Sequence, residues 1–203
     1  MAINLNELSF DEWVIFAFDH PVSKPSKAWY WDNEWDWEAE PEHILRYSIK
    51  LFTNPQILLE KFSYEQINQG FWFLLGATNQ LSDWIWDEKI EWEMREEFIN
   101  SMKSVFTDLF ATNPIEDACF MWWDLLRDFS NDQDSKVKDA IFNVLSQIIK
   151  LDSPNCQNSA LHGFGHLEHE GKKAIIEEYL KAYPNLDDDI RKYALAAIEG
   201  KVL

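Results

Sequence analysis

The sequence predicts an all-α protein, and three observations predict it. Apolar residues recur at helical spacing along most of the chain. Serine, aspartate and proline signals mark a succession of helix starts. No run alternates apolar and polar residues between turn signals in the way a half-buried strand would. About ten helices are expected, most of roughly 10–20 residues.

Ser9 and Glu12 form a capping-box pattern that opens a short helix running to about Asp19. His20 precedes Pro21, and the residue before a proline leaves the α region, so the helix stops there. Residues 20–40 read as an ordered loop carrying Pro21, Pro25 and a Trp-rich acidic stretch. Pro41 suits a first helical position, and Ile44, Leu45, Ile49 and Phe52 follow as an apolar stripe until Pro55 closes it. A short turn spans Ile57, Leu58 and Leu59. Ser63 and Gln66 repeat the capping box, and their helix is expected to reach about Asn79. Gly70 and Gly76 inside it predict close approach by a neighbouring helix or a large Trp ring.

Ser82 begins an acidic aromatic segment leading into a long helix over 89–112. Along it Trp84, Ile85 and Trp92 are placed for burial, and Glu91 and Arg95 form an i,i+4 pair. Pro114 opens a helix carrying Ala118, Met121, Trp122, Leu125 and Leu126. Trp122 and Trp123 point about 100° apart, so Trp122 is assigned to the core and Trp123 to a repeat interface or the surface. Asp134 or Ser135 caps the next helix, with Val137, Ile141, Val144, Leu145, Ile148 and Ile149 as its stripe. Ser153 followed by Pro154 is an N-cap with proline at N1. The last two helices are predicted over about 172–183 and 187–199. Asp187, Asp188 and Asp189 complement the dipole at the start of the second.

Ala118, Ala160 and Ala194 occupy similar places in successive units of the second half, at offsets near those of helical-pair repeats. The stretch C-Q-N-S-A-L-H-G-F-G-H-L from Cys156 resembles the first helix of a HEAT-like repeat. D-D-I-R-K-Y-A-L-A-A-I-E-G from Asp188 resembles a closing helix of the same kind. The resemblance covers about residues 114–203, and the whole chain is similar to uncharacterised bacterial HEAT-like proteins. It implies an antiparallel helix-pair array, an α-α superhelix, and an interaction scaffold. The chain is expected to be a single domain, 1–203, with Trp-rich helices and a loop over 1–113 packed on HEAT-like pairs over 114–203.

The chain has 36 acidic and 18 basic residues, a net charge of -18. Nucleic-acid binders present a basic stripe, so that class is disfavoured, as is an anionic membrane surface. Basic proteins are the favoured electrostatic partners. Two cysteines, Cys119 and Cys156, make no disulfide framework and suit a reducing, cytoplasmic setting. No secretory signal and no apolar run long enough to span a membrane is visible. Phosphate-binding loops and nucleophile elbows are absent. No cofactor and no enzymatic activity is expected.

Two constellations are candidates for function. Trp29, Trp31, Trp35 and Trp37 are interleaved with acids including Glu34 and Asp36. Such a segment is either a recognition loop, with aromatic anchors and acids steering a basic partner, or a cap folded over the end of the array. His162 and His166 stand at i,i+4, so one helix face can offer both to a metal, and His169 would extend that face if the helix continued. Gly163, Gly165 and Gly171 argue for a break near 167–171. The other reading is structural, with histidines hydrogen-bonded at a repeat junction. Deoxyhypusine hydroxylase, a HEAT-repeat enzyme family, binds two irons through several His-Glu pairs. Here His169-Glu170 is the sole such dipeptide, which argues against that activity. The function expected from sequence is therefore a non-enzymatic protein-binding module with an acidic, Trp-rich surface, neutralising a basic partner such as a toxin domain. The alternatives are a metal-dependent activity at His162, His166 and His169, and a purely structural subunit.

Overall fold

A computed structural model of the chain describes residues 3–22, 28–31, 37–76, 81–126 and 134–202. Ten α-helices are found among them, so the protein is all-α. Where local capping chemistry sets a boundary, expectation and structure coincide. In α1 (Phe10–Phe18) the Ser9 side chain accepts from the Glu12 backbone while the Glu12 side chain accepts from the Ser9 backbone. Ser63 and Gln66 do the same for α3 (Tyr64–Leu75). Pro41 and Pro154 sit in the first turns of α2 (Pro41–Thr53) and α8 (Pro154–His166). Asp134 caps α7 (Ser135–Ile148) through two backbone N–H groups, and Asp187 caps α10 (Asp188–Ile198).

Three expectations are corrected. The acidic aromatic segment does not run straight into one long helix. It forms α4 (Leu81–Trp84), a turn, and α5 (Trp92–Val105), which continues as a π-helical turn over Phe106–Phe110. Arg95 does not pair with Glu91. Its guanidinium turns inward to the Asp134 carboxylate at 3.1 Å and donates to the carbonyls of Ile85 and Ile90. A buried guanidinium needs those partners more than an exposed one needs a neighbour along the helix. Finally, the absence of strands is not complete: Ile3–Asn4 (β1) pairs in parallel with Trp37–Glu38 (β2), Ile3 opposite Trp37. The Asn6 side chain extends that junction by accepting from the Glu40 backbone at 2.8 Å.

The helices form two rows. In one, α1 packs on α3, α3 on α6 (Glu116–Leu125), α6 on α8, and α8 on α10; in the other, α2 packs on α5 and α5 on α7. The helix α9 (Lys172–Ala182) packs on α10. Ala118, Ala160 and Ala194, aligned in sequence, lie fully buried on the consecutive helices α6, α8 and α10. A continuous core joins the rows. At its aromatic heart Trp122 meets Phe52, Phe71, Phe106 and Phe110, with ring centroids 5.3–5.6 Å apart. Trp123 is buried as well. It stacks on Phe106 at the α6–α8 interface, where Gly163 leaves room for its indole.

Candidate functional site

Three successive helices of the first row converge on one histidine. His162 lies on α8 and is buried, held among Asp124 of α6, Tyr193 of α10 and His166 one turn further along α8. The i,i+4 spacing of the histidines brings both rings to the same face. Their Nε2 atoms are 3.2 Å apart. Asp124 presents one oxygen to each ring, Oδ2 at 2.9 Å from His162 Nε2 and Oδ1 at 2.8 Å from His166 Nε2. Donor atoms of Asp124, His162 and His166 all lie within 4.8 Å of one another, a grouping able to hold a metal ion.

The surroundings orient the rings. The Tyr193 hydroxyl is hydrogen-bonded to His162 Nδ1, on the side of the ring away from Asp124. Burial, and then the Asp124 charge, push the Tyr193 phenol up to about 12. Phe120 lies over the His162 ring with centroids 4.6 Å apart. His162 itself is closed off from solvent, whereas the Asp124 carboxylate is a quarter exposed. The cluster therefore has a buried back wall and an open front.

His169 stands outside this group, because α8 ends at His166 and the chain turns away at Leu167. Its Nε2 pairs with Asp139 at 3.1 Å, its Nδ1 accepts from the Gly171 backbone, and its ring stacks on Phe142. Asp124 takes the third place that spacing along one helix had offered to His169. A signal for Asp124 is present in the sequence: it stands to Ala118 as His166 stands to Ala160.

The Trp-rich segment divides. Trp29 is buried against Phe16 and Phe73 and stacks on His20, with ring centroids 3.7 Å apart. Trp37 is half-buried, its ring edge-on to Phe73. Trp31 is 49% exposed. Glu34, Trp35 and Asp36 lie outside the described residues. Two of the four tryptophans thus serve the core at this end of the array.

Compared with known protein families, curated proteins and solved structures, the chain matches none of them. No helix among the described residues is long and apolar enough to cross a membrane.

Proposed function

We propose that the chain is a metal-binding protein whose centre is formed by Asp124, His162 and His166. The ion would be a divalent transition metal such as Zn²⁺ or Fe²⁺, bound on one face with other coordination positions left open. The observation that carries this reading is the 3.2 Å approach of two imidazole Nε2 atoms over a shared carboxylate. With metal–nitrogen bonds of about 2.0–2.1 Å, adjacent ligands stand about 2.8–3.0 Å apart in octahedral coordination and about 3.3–3.4 Å apart in tetrahedral coordination. The histidine spacing of 3.2 Å lies between the two, close to the tetrahedral value. Two imidazoles and one carboxylate form a donor set used by iron and zinc centres that keep room for water or substrate.

Tyr193 supports the same reading as a positioning residue. With Nδ1–H donating to the Tyr193 oxygen, the His162 lone pair at Nε2 faces the proposed ion. A metal in such a site supplies Lewis acidity and brings the ionisation of bound water toward neutrality.

The test is metal titration of chelator-treated protein by calorimetry, with Co²⁺ absorption reporting the coordination. One equivalent is expected for the native chain. Binding should be lost in His166→Ala and Asp124→Ala, and weakened about 10–100-fold in Tyr193→Phe. Equal metal uptake by the native chain and His166→Ala would refute the proposal. The cluster would then be a proton-filled relay, with the Tyr193 hydroxyl donating to His162 Nδ1 and both Nε2–H groups donating to Asp124.

A second reading concerns the opposite end of the row. Exposed Trp31 and the net charge of -18 support docking of a basic protein there, in keeping with the resemblance to HEAT-like scaffolds. Pull-downs from native extract at low and moderate salt test it. A basic protein retained by the native chain at low salt and lost with Trp31→Ala is expected, and identical profiles for the two would refute it.

A further inference from the structure

Beside the histidine cluster lies a cavity of about 410 Å³, between the C-terminal ends of α8 and α10 and the side of α6. Its apolar lining includes Trp86, Trp123, Ile141 and Ile198. The volume falls within the range of small-molecule sites. The lining is polar over more than half of its surface, and its polar groups are unevenly satisfied.

Lys172 is the one cationic side chain among the described lining residues. Its Nζ donates to the Phe164 carbonyl at 3.3 Å, and it has no carboxylate within ion-pair distance among the described residues. Burial draws its pKa down, and Glu168 offsets this only through space. The other acid of the lining, Glu199, is engaged by Lys201 at 2.7 Å. A partly desolvated ammonium with no carboxylate in direct contact leaves charge uncompensated, and a ligand carboxylate would pair with it. The second observation is independent. The indole N–H of Trp123, a lining residue only 4% exposed, has no hydrogen-bond partner among the described residues. Buried indole N–H groups are ordinarily paired.

We infer that this cavity binds a small organic acid with an apolar, ring-sized body, its carboxylate on Lys172 and its body between the tryptophan walls. The apolar lining provides a place for the body, and the two under-satisfied donors select an acceptor-bearing head group over an amine. This site needs no metal, although His166 borders both it and the Asp124 cluster.

The test uses the full chain, stripped of metal by chelator, titrated by calorimetry with indole-3-propionate and separately with tryptamine. Saturable one-to-one binding of the acid is expected, with the amine weaker by about tenfold or more. Lys172→Met should weaken acid binding by about tenfold or more, while Lys173→Met, at an exposed neighbour, should leave it unchanged. Ile141→Trp, which fills the cavity from another helix, should abolish binding even if Lys172→Met proves poorly folded by circular dichroism. Absence of saturable binding, preference for tryptamine, or equal effects of Lys172→Met and Lys173→Met would each overturn the inference. Because the protein is metal-free throughout, failure here leaves the metal proposal standing, and the reverse holds as well.

Discussion

Gly70→Ala tests how tightly the first row is packed. A β-carbon at Gly70 would lie 2.1 Å from Phe18 Cδ1 and 2.4 Å from Cε1. Carbon atoms in contact sit about 3.5–4.0 Å apart, so the ring would have to retreat by about 1.4 Å or more. It has little space to do so. Phe18 is 1% exposed, with Phe62 stacked on one side at 5.8 Å and Phe71 edge-on at 5.5 Å. Overpacking of this kind costs about 1–3 kcal/mol, and the displacement places this case near the top of the range. Alanine returns about 1 kcal/mol through helix propensity, because Gly70 is interior to α3. The net expectation is a loss of about 2 kcal/mol, seen in urea unfolding as a lower midpoint at constant slope. Phe18→Leu removes the obstructing ring edge. The double variant should therefore be more stable than the sum of the single effects by about 1 kcal/mol or more. A neutral or stabilising Gly70→Ala, or strict additivity with Phe18→Leu, would refute the close-packing argument.

Three further predictions follow from other contacts. Zn²⁺ at about one hundred times its Kd should add about 2.7 kcal/mol to native stability and raise Tm by roughly 5–10 °C in a chain of this size. Chelator should reverse the shift, and an unchanged Tm in calorimetry would argue against the metal centre. Arg95→Met strips the Asp134 carboxylate of its buried cation and two carbonyls of their donor. A loss of about 3 kcal/mol is expected by denaturant titration, whereas Asp134→Asn, able to keep the α7 cap, should cost less. Burial under Trp29 holds the His20 pKa below 6.5. The unfolded chain then takes up the proton first, so stability at this residue is complete above 6.5 and falls as pH drops below it. Trp29→Ala should raise the His20 pKa toward its ordinary value in an NMR titration, and an unmoved pKa would sink the assignment.

Helix starts were legible because capping joins residues three apart, as in Ser9 with Glu12 and Ser63 with Gln66. The end of α8 before His169 was legible for a similar reason, since the glycines around it lower helix stability locally. The apolar stripes were readable too, because helical period alone decides which side chains share a face. The π-turn over Phe106–Phe110 was not, since no local spacing distinguishes its aromatics from those of an ordinary helix. Nor was the inward turn of Arg95, whose partner Asp134 is brought to it by the packing of α5 on α7.

The candidate site divides along the same line. His162 and His166 share a face by virtue of being four residues apart, so the sequence alone determined that pair. Asp124 and Tyr193 reach the same ring only because α6, α8 and α10 stack as neighbours, and His169 is drawn away to Asp139 on α7. The burial of Trp29 against Phe73 and the placing of Lys172 on the Phe164 carbonyl beside its cavity were likewise decided by tertiary structure. Local chemistry acts between residues a turn apart, whereas charge pairing, exclusion of water and convergence on a site depend on which helices pack together.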